Sequence, residues 1–141
     1  MERIAMDAEA LRQFLDTEFV QVRADFEIEE VTSEGLILRL RVNERHLRPG
    51  GTVSGPAMFA LADVAIYLAI LSRIGPRALS VTTSCAMDFM RKPAAGVDLL
   101  AETRLLKLGR LLAVGDALIR SEGSAAPVAR ASMTYAIPPE Q

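Results

Sequence analysis

Asp63 is the only charged residue between Arg48 and Arg73, and it lies inside an apolar run over residues 57–71. Burying a carboxylate costs several kcal/mol unless the group is paired or has a chemical task, so this position indicates a site as well as a core. A glycine-rich stretch, residues 49–56, comes directly before the run. A carboxylate can act as a base or a nucleophile, and a helix that starts after such a loop offers free backbone amides to negative charge.

The helix that carries this acid is predicted over residues 56–73. Pro56 follows Gly55, and a proline at the first helical position has no amide hydrogen to waste. The helix is apolar nearly all round, which predicts that it is buried in the middle of the fold, and Gly75-Pro76 ends it. The apolar run of roughly fifteen residues is shorter than the about twenty that a spanning helix needs, so we expect no membrane segment.

The remaining patterns predict one further helix and six strands. Asp7 is a candidate N-cap of a helix over residues 7–18. Alternating apolar residues predict two strands before the central helix and four after it, over residues 20–31, 36–42, 78–91, 97–107, 111–121 and 126–137. The first two strands form a predicted hairpin, and short turns make the last four antiparallel neighbours. The predicted fold class is therefore α+β, an antiparallel sheet wrapped around one long central helix.

Length and composition narrow the class of protein. The 141 residues predict a single domain over 1–141 that includes an N-terminal helical segment, 1–19. The hydrophobic share of 50% is high for a soluble chain of this size and predicts at least a homodimer. A net charge of -2 gives no support for nucleic-acid binding. The single cysteine and the lack of a signal-peptide pattern at the start predict a cytoplasmic protein.

The single histidine and single cysteine leave almost no support for a metal site or a Ser-His-Asp triad, so we expect neither a metal nor a cofactor. His46 lies in a polar stretch and is expected to be solvated. Cys85 lies in a predicted strand and is expected to be a core residue.

Two stretches of the chain carry a resemblance to a known family. Residues 51–65 read Gly-Thr-Val-Ser-Gly-Pro-Ala-Met-Phe-Ala-Leu-Ala-Asp-Val-Ala, and residues 85–91 read Cys-Ala-Met-Asp-Phe-Met-Arg. Together they resemble the loop-helix signature and the following strand of the hotdog-fold acyl-CoA thioesterases, above all the subgroup linked to phenylacetate degradation. The resemblance extends over residues 20–137 and implies the hotdog fold.

The chain departs from the family's signature at three positions. Ser54 occupies the position of the family's motif histidine, and Pro56 occupies the position of its second glycine. Arg48 occupies the position of an asparagine that the family often has upstream of the histidine. The acid and the first glycine are kept, as Asp63 and Gly55.

The resemblance implies hydrolysis of an acyl-CoA, in which coenzyme A is part of the substrate and Asp63 is the base or the nucleophile. The Gly55 amide is the natural oxyanion donor, because a residue without a side chain allows close approach. The helix between them spans about 12 Å, too far for one reacting carbon to touch both groups. The site is therefore expected to combine Gly55 of one subunit with Asp63 of another, in a dimer or a tetramer.

Further residues are candidate members of the site. Thr83 lies where related enzymes place a hydroxyl near the acid, and it could hold the attacking water. Tyr67 is one helical turn after Asp63 and could orient the acid or face a pocket wall. Ser54 could stand beside the substrate carbonyl, although its residue type is more typical of a helix cap.

Cations could contact the coenzyme A part of the substrate. Arg48 could meet a carboxylate or phosphate at the mouth of the site, or be an exposed loop charge. Arg91 belongs to a group of cations at strand ends that could meet the phosphates or simply be solvated, together with Lys92, Lys107 and Arg110.

Three other functions share this fold. A hydratase or dehydratase that acts on enoyl or hydroxyacyl thioesters usually depends on a histidine in the helix region, which is absent here. A non-catalytic acyl-CoA-binding module would fit a signature that has lost its histidine and asparagine. An acyl-sensing transcription factor would need a DNA-binding helix-turn-helix, for which the first twenty residues are too short. For the thioesterase, the apolar composition favours an aromatic or medium-chain acyl group.

Overall fold

A computed structural model describes residues 4–20, 23–76 and 80–138 of the chain. Two short 3-10 turns, Arg23–Asp25 and Glu44–His46, lie between the longer elements. In chain order the helices and strands are α1 (Ala8–Glu18), β1 (Phe26–Val31), β2 (Leu36–Leu40), α2 (Gly55–Ile74), β3 (Val81–Phe89), β4 (Leu99–Leu108), β5 (Leu112–Ser121) and β6 (Pro127–Ala136).

The six described strands form one antiparallel sheet in the order β1-β2-β4-β5-β6-β3. The predicted hairpin of β1 and β2 is confirmed, and so are the neighbouring pairs β4–β5 and β5–β6. The central helix α2 packs against the sheet and differs from its predicted range by one residue at each end. The predicted architecture, an antiparallel sheet around one long helix, is therefore confirmed.

The prediction that β3 and β4 are neighbours is wrong, because β3 pairs with β6 at the sheet edge. The chain between Phe89 and Leu99 is too long for a tight hairpin turn. Its backbone is tied first to β6, where Met90 N donates to Val128 O over 2.8 Å. It is then tied to β5, where Ala94 N donates to Ser121 Oγ over 2.9 Å. The segment therefore crosses the ends of two strands before it enters β4.

The first strand is shorter than the predicted range, which starts at residue 20. It begins at Phe26, residues 23–25 form a 3-10 turn, and residues 21–22 lie outside the described part of the chain. Phe26 pairs with Leu40, the last residue of β2, and upstream of this pair the chain turns into the 3-10 segment, with a hydrogen bond from Arg41 N to Asp25 O over 2.7 Å. Helix α1 agrees with its prediction, with Asp7 as its N-cap.

The central helix is the core of the fold. Leu61, Ala65 and Leu68 have no exposed surface, and apolar residues from every strand except β3 join the same buried cluster. By length and composition α2 is apolar enough to cross a membrane, but about two thirds of it is buried within the fold, as is usual for a core helix.

Candidate active site

The loop before α2 is held in a fixed shape by glycines and backbone hydrogen bonds. Gly50 and Gly51 have φ values of 106° and 87°, which favour glycine because a side chain would be strained there. Gly51 N donates to Arg48 O over 3.0 Å, and Ser54 N donates to His46 O over 2.8 Å. The loop therefore places Ser54 at the start of the helix.

His46 supports this loop from inside, so the prediction that it is solvated is wrong. Only 8% of the residue is exposed. Its Nδ1 accepts a hydrogen bond from Asn43 N over 3.0 Å, and its Nε2 lies 3.5 Å from Asp25 Oδ2. Burial, followed by the positive charge of Arg45, lowers the pKa of His46 and favours the neutral ring. The burial follows from the 3-10 turn that Asn43 caps, because this turn directs the His46 ring inward. The turn was not predicted from the sequence.

Two backbone N–H groups at the start of α2 differ in their hydrogen bonding. One is capped by a side chain, and the other, which we call the open amide, has no acceptor within the described part of the chain. Ser54 Oγ accepts from Ala57 N over 3.3 Å, so the prediction that Ser54 caps the helix is confirmed. Pro56 has no amide hydrogen. Among the hydrogen bonds within the described part of the chain, none uses the Gly55 N–H. A Cβ added to Gly55 would lie 3.5 Å from Phe89 Cζ, so the ring of Phe89 lies next to this glycine.

Asp63 is half-buried in the middle of α2 and is held by two hydroxyl groups. Thr82 Oγ1 donates to Asp63 Oδ1 over 2.7 Å. The Tyr135 hydroxyl lies 2.7 Å from the Asp63 carbonyl oxygen and contacts Oδ1 as well. The acid therefore has partners from β3 and β6, and neither partner was predicted from the sequence.

A β-bulge explains why Thr82, and not Thr83, reaches the acid within the chain. Thr82 pairs with Tyr135 and Ser84 pairs with Thr134, so Thr83 is the extra residue between them. Its hydroxyl is directed to the backbone and donates to Thr134 O over 3.3 Å. Within the chain the threonine hydroxyl that contacts the acid is therefore that of Thr82, and a contact between Thr83 and a bound water stays a prediction.

Tyr67 lies in an aromatic cluster. Its ring centroid is 6.3 Å from that of Phe14, 5.5 Å from Phe19 and 6.2 Å from Tyr135. Burial, followed by the negative charge of Glu18, raises the pKa of Tyr67 to about 12. These contacts make the ring part of the core, and a contact between Tyr67 and substrate stays a prediction.

The two predicted cationic contacts lie on the surface near the start of α2. Arg48 is exposed in the loop that leads to the helix. Arg91 is exposed two residues after Phe89, and its Nε donates to Pro127 O over 2.8 Å. Both side chains are therefore exposed, Arg48 in the loop before α2 and Arg91 just after β3.

Strand β3 is an exposed edge strand. Its only partner among the described strands is β6, and every residue except Met87 is exposed. Cys85 is one of them, so its predicted core location is wrong. The reason is that α2 does not cover this edge. The first and last residues of β3 are exposed apolar side chains, with 56% of Val81 and 54% of Phe89 accessible.

Comparisons with known proteins agree with this architecture. The family model of the thioesterase superfamily matches residues 50–128, which include the loop, α2 and β3. A Pseudomonas aeruginosa protein described as a candidate esterase is 36% identical over 87 residues, which cover 61% of this chain. The matched region is 64% of that protein, less than two thirds of its length.

Two solved structures resemble the whole fold. A candidate thioesterase from Silicibacter sp. TM1040 is 54% identical, with a TM-score of 0.91 and coverage of 97% of this chain and 95% of its own. A mutant of the phenylacetic acid degradation protein PaaI from Thermus thermophilus is 28% identical, with a TM-score of 0.71 and coverage of 84% and 99%. Because the family model matches more than half of the chain, the hotdog-fold prediction is confirmed and this chain belongs to the thioesterase superfamily.

Proposed function

We propose that this protein is an acyl-CoA thioesterase that hydrolyses an aromatic or medium-chain acyl-CoA to the free acid and coenzyme A. The observation that carries the proposal is that one apolar helix presents an open amide at Gly55 and an anchored, half-buried carboxylate at Asp63. Membership of the thioesterase superfamily supports the reaction class, and the likeness to PaaI supports the choice of substrate.

Each group has a defined task in this reaction. Asp63 either takes a proton from a water that attacks the thioester carbonyl or attacks that carbon itself. In both cases the carbonyl oxygen becomes an oxyanion, which the Gly55 amide can stabilise. The C–S bond then breaks and the thiolate of coenzyme A leaves. If Asp63 is the nucleophile, water hydrolyses the resulting anhydride and restores the carboxylate.

The two groups act together only if two chains share the site. Gly55 and Asp63 are separated by about 12 Å of helix, since each residue adds about 1.5 Å. A single reacting carbon has to lie about 3 Å from both the nucleophile and the oxyanion donors. We therefore propose a homodimer in which each site takes its acid from one subunit and its amide from the other.

The edge strand β3 supports a particular form of this dimer. An exposed, unpaired strand edge is a surface for pairing with another chain. When two copies pair this edge about a two-fold axis, the strands are necessarily antiparallel, and the first residues of one strand oppose the last residues of the other. Thr82 contacts Asp63 at the first end, and Phe89 borders Gly55 at the last end. Pairing of β3 would thus bring Asp63 towards Gly55 of the partner subunit.

The surroundings of the open amide fit the proposed substrate. Phe59, Phe89 and Met90 are exposed by 39%, 54% and 45%, and they supply apolar and aromatic surface for an acyl group. The guanidinium groups of Arg48 and Arg91 would serve the phosphates of coenzyme A. A tetramer formed by two such dimers and a cytoplasmic location complete the proposal.

A non-catalytic acyl-CoA-binding protein is the second candidate. It is favoured by one observation: the side chain that replaces the motif histidine, Ser54, is used as a helix cap and cannot act as an acid or a base. A module of this kind would bind the acyl group and leave the thioester intact.

Release of free thiol separates these functions. Wild type, Asp63→Ala and the isosteric Asp63→Asn would be assayed with a panel of aromatic, medium-chain and short acyl-CoAs. We expect wild type to hydrolyse at least one aromatic or medium-chain thioester, and both variants to lose nearly all turnover while they melt as wild type does. Binding of acyl-CoA without release of thiol would establish the binding module, and hydration of an enoyl-CoA would establish a hydratase.

A further inference from the structure

We propose that Tyr135 and Thr82 are positioning residues that fix Oδ1 of Asp63, so that Oδ2 is the oxygen that acts on the substrate. The inference deepens the proposed thioesterase function and rests on it. It assigns different tasks to the two oxygens of one carboxylate.

The two carboxylate oxygens have different surroundings. Oδ1 accepts a hydrogen bond from Thr82 over 2.7 Å and is contacted by the Tyr135 hydroxyl. Within the described part of the chain, no hydrogen bond reaches Oδ2. Asp63 is only half-buried, so this second oxygen is accessible while the first is held.

Tyr135 is a suitable permanent donor. Only 1% of the residue is exposed, and its ring packs 6.2 Å from that of Tyr67, so its hydroxyl has little freedom to move. Burial, followed by the negative charge of Asp63, raises the pKa of Tyr135 far above its ordinary value. The phenol therefore keeps its proton at neutral pH and can act as a donor there.

The Tyr135 hydroxyl also fixes the helix under the acid. It lies 2.7 Å from the Asp63 carbonyl oxygen as well as close to Oδ1 of the same residue. One hydroxyl therefore contacts both the backbone and the side chain of Asp63. This double contact limits rotation of the side chain away from its present rotamer. Thr82, from the edge strand, approaches the same oxygen from a second element.

A fixed Oδ1 serves both possible chemical routes. As a base, Oδ2 takes a proton from water while the water oxygen bonds to the thioester carbon. As a nucleophile, Oδ2 bonds to that carbon and the C–S bond breaks, which releases the thiolate. In either route a displacement of about 1 Å can cost about a hundredfold in rate, so hydrogen bonds that hold Oδ1 in place support catalysis by keeping Oδ2 in position.

The test uses Tyr135→Phe and Thr82→Val, which remove one hydroxyl each and keep the side-chain shape. Thr134→Val is the matched control, because this neighbour of Tyr135 lies on the opposite face of the same strand. We expect kcat to fall about tenfold to a hundredfold in both test variants with KM nearly unchanged.

A second readout does not depend on turnover. In protein labelled with carbon-13 at the aspartate carboxyl carbons, the Asp63 signal is the one that Asp63→Asn removes. We expect this signal to shift in Tyr135→Phe and Thr82→Val and to stay in place in Thr134→Val. If the Asp63 signal does not move in the test variants, the hydroxyl groups do not hold Oδ1, even if the enzyme is active. If the signal moves but kcat is unchanged, the hydroxyl groups contact the carboxylate but do not position it for the reaction. If wild type hydrolyses no acyl-CoA, the proposed function fails. The carboxyl signal still tests whether Thr82 and Tyr135 contact Oδ1.

Discussion

Phe89 and Gly55 meet at the start of the central helix, where a Cβ on the glycine would lie 3.5 Å from Cζ of the ring. This is an ordinary van der Waals separation, so the glycine is not required by packing. The open amide of Gly55 and the exposed ring of Phe89 therefore form one surface, which is suited to a carbonyl group attached to an apolar chain.

Replacement of Gly55 by proline should abolish the oxyanion donor, with some loss of stability because position 55 is helical and precedes Pro56. Proline is tolerated at the first position of a helix. The preceding residue, Ser54, already has the extended backbone (φ -77°, ψ 159°) that a following proline favours. We expect Gly55→Pro to lower kcat about 100- to 1,000-fold in the thiol-release assay, the usual effect of removing one such donor.

Gly55→Ala is the matched variant, since it adds a carbon against Phe89 but keeps the N–H. We expect a much smaller loss of kcat than in Gly55→Pro, with both variants assayed at a temperature at which they are folded. Equal losses in both variants would show that the added carbon, and not the missing amide hydrogen, is responsible.

Two inactive variants should complement each other in one dimer. A heterodimer of an Asp63→Asn chain and a Gly55→Pro chain, purified with two different affinity tags, contains one site with both groups intact and one site with neither. We expect about half of the wild-type activity, because a two-fold dimer has two equivalent sites. If the acid and the amide of the same chain work together, this heterodimer stays inactive.

The homodimers of each variant, prepared in the same way, are the controls and should remain inactive. Exchange of subunits during the assay would be detected as a slow change of activity after the heterodimer is mixed with either homodimer.

His46 should make stability fall in mild acid. Its pKa in the folded protein is lowered, so the unfolded chain binds the proton more readily and the stabilisation present above about pH 6.5 is lost as the pH falls. His46→Asn keeps an acceptor for Asn43 N but does not titrate. We therefore expect the difference in unfolding free energy between wild type and this variant to shrink from about pH 7.5 to about pH 5.5 in urea denaturation.

Two charged groups face this ring and act in opposite directions. Arg45 disfavours the imidazolium, whereas Asp25, with Oδ2 at 3.5 Å from Nε2, favours it. A difference that grows as the pH falls would show that the pair with Asp25 outweighs burial.

The sequence contained the strongest determinants of the fold. The apolar run around Asp63 predicted the buried helix to within one residue at each end, because burial on all sides leaves no polar face to obscure the signal. Ser54 and Gly55 at the start of α2 were predicted for a similar local reason, since helix caps depend on a few neighbouring residues.

The contacts that were missed are all non-local. The pairing of β3 with β6, the bulge at Thr83 and the hydroxyl of Tyr135 beside Asp63 join residues far apart in sequence. Alternation reports which face of a strand a residue occupies but not which strand lies next to it. The burial of His46 was missed because its turn is held by a side chain, Asn43, within a stretch that is polar by composition.

The hydrogen bond between Tyr135 and Asp63 joins residues that are 72 positions apart. A ribosome therefore makes the acid long before it makes the partner from β6, and during that interval the charge lies in an apolar helix without its phenol. Nonsense or frameshift products that stop before residue 135 would carry this defect permanently. They would also lack the end of β6, and incompletely folded chains are targets of chaperones and proteases.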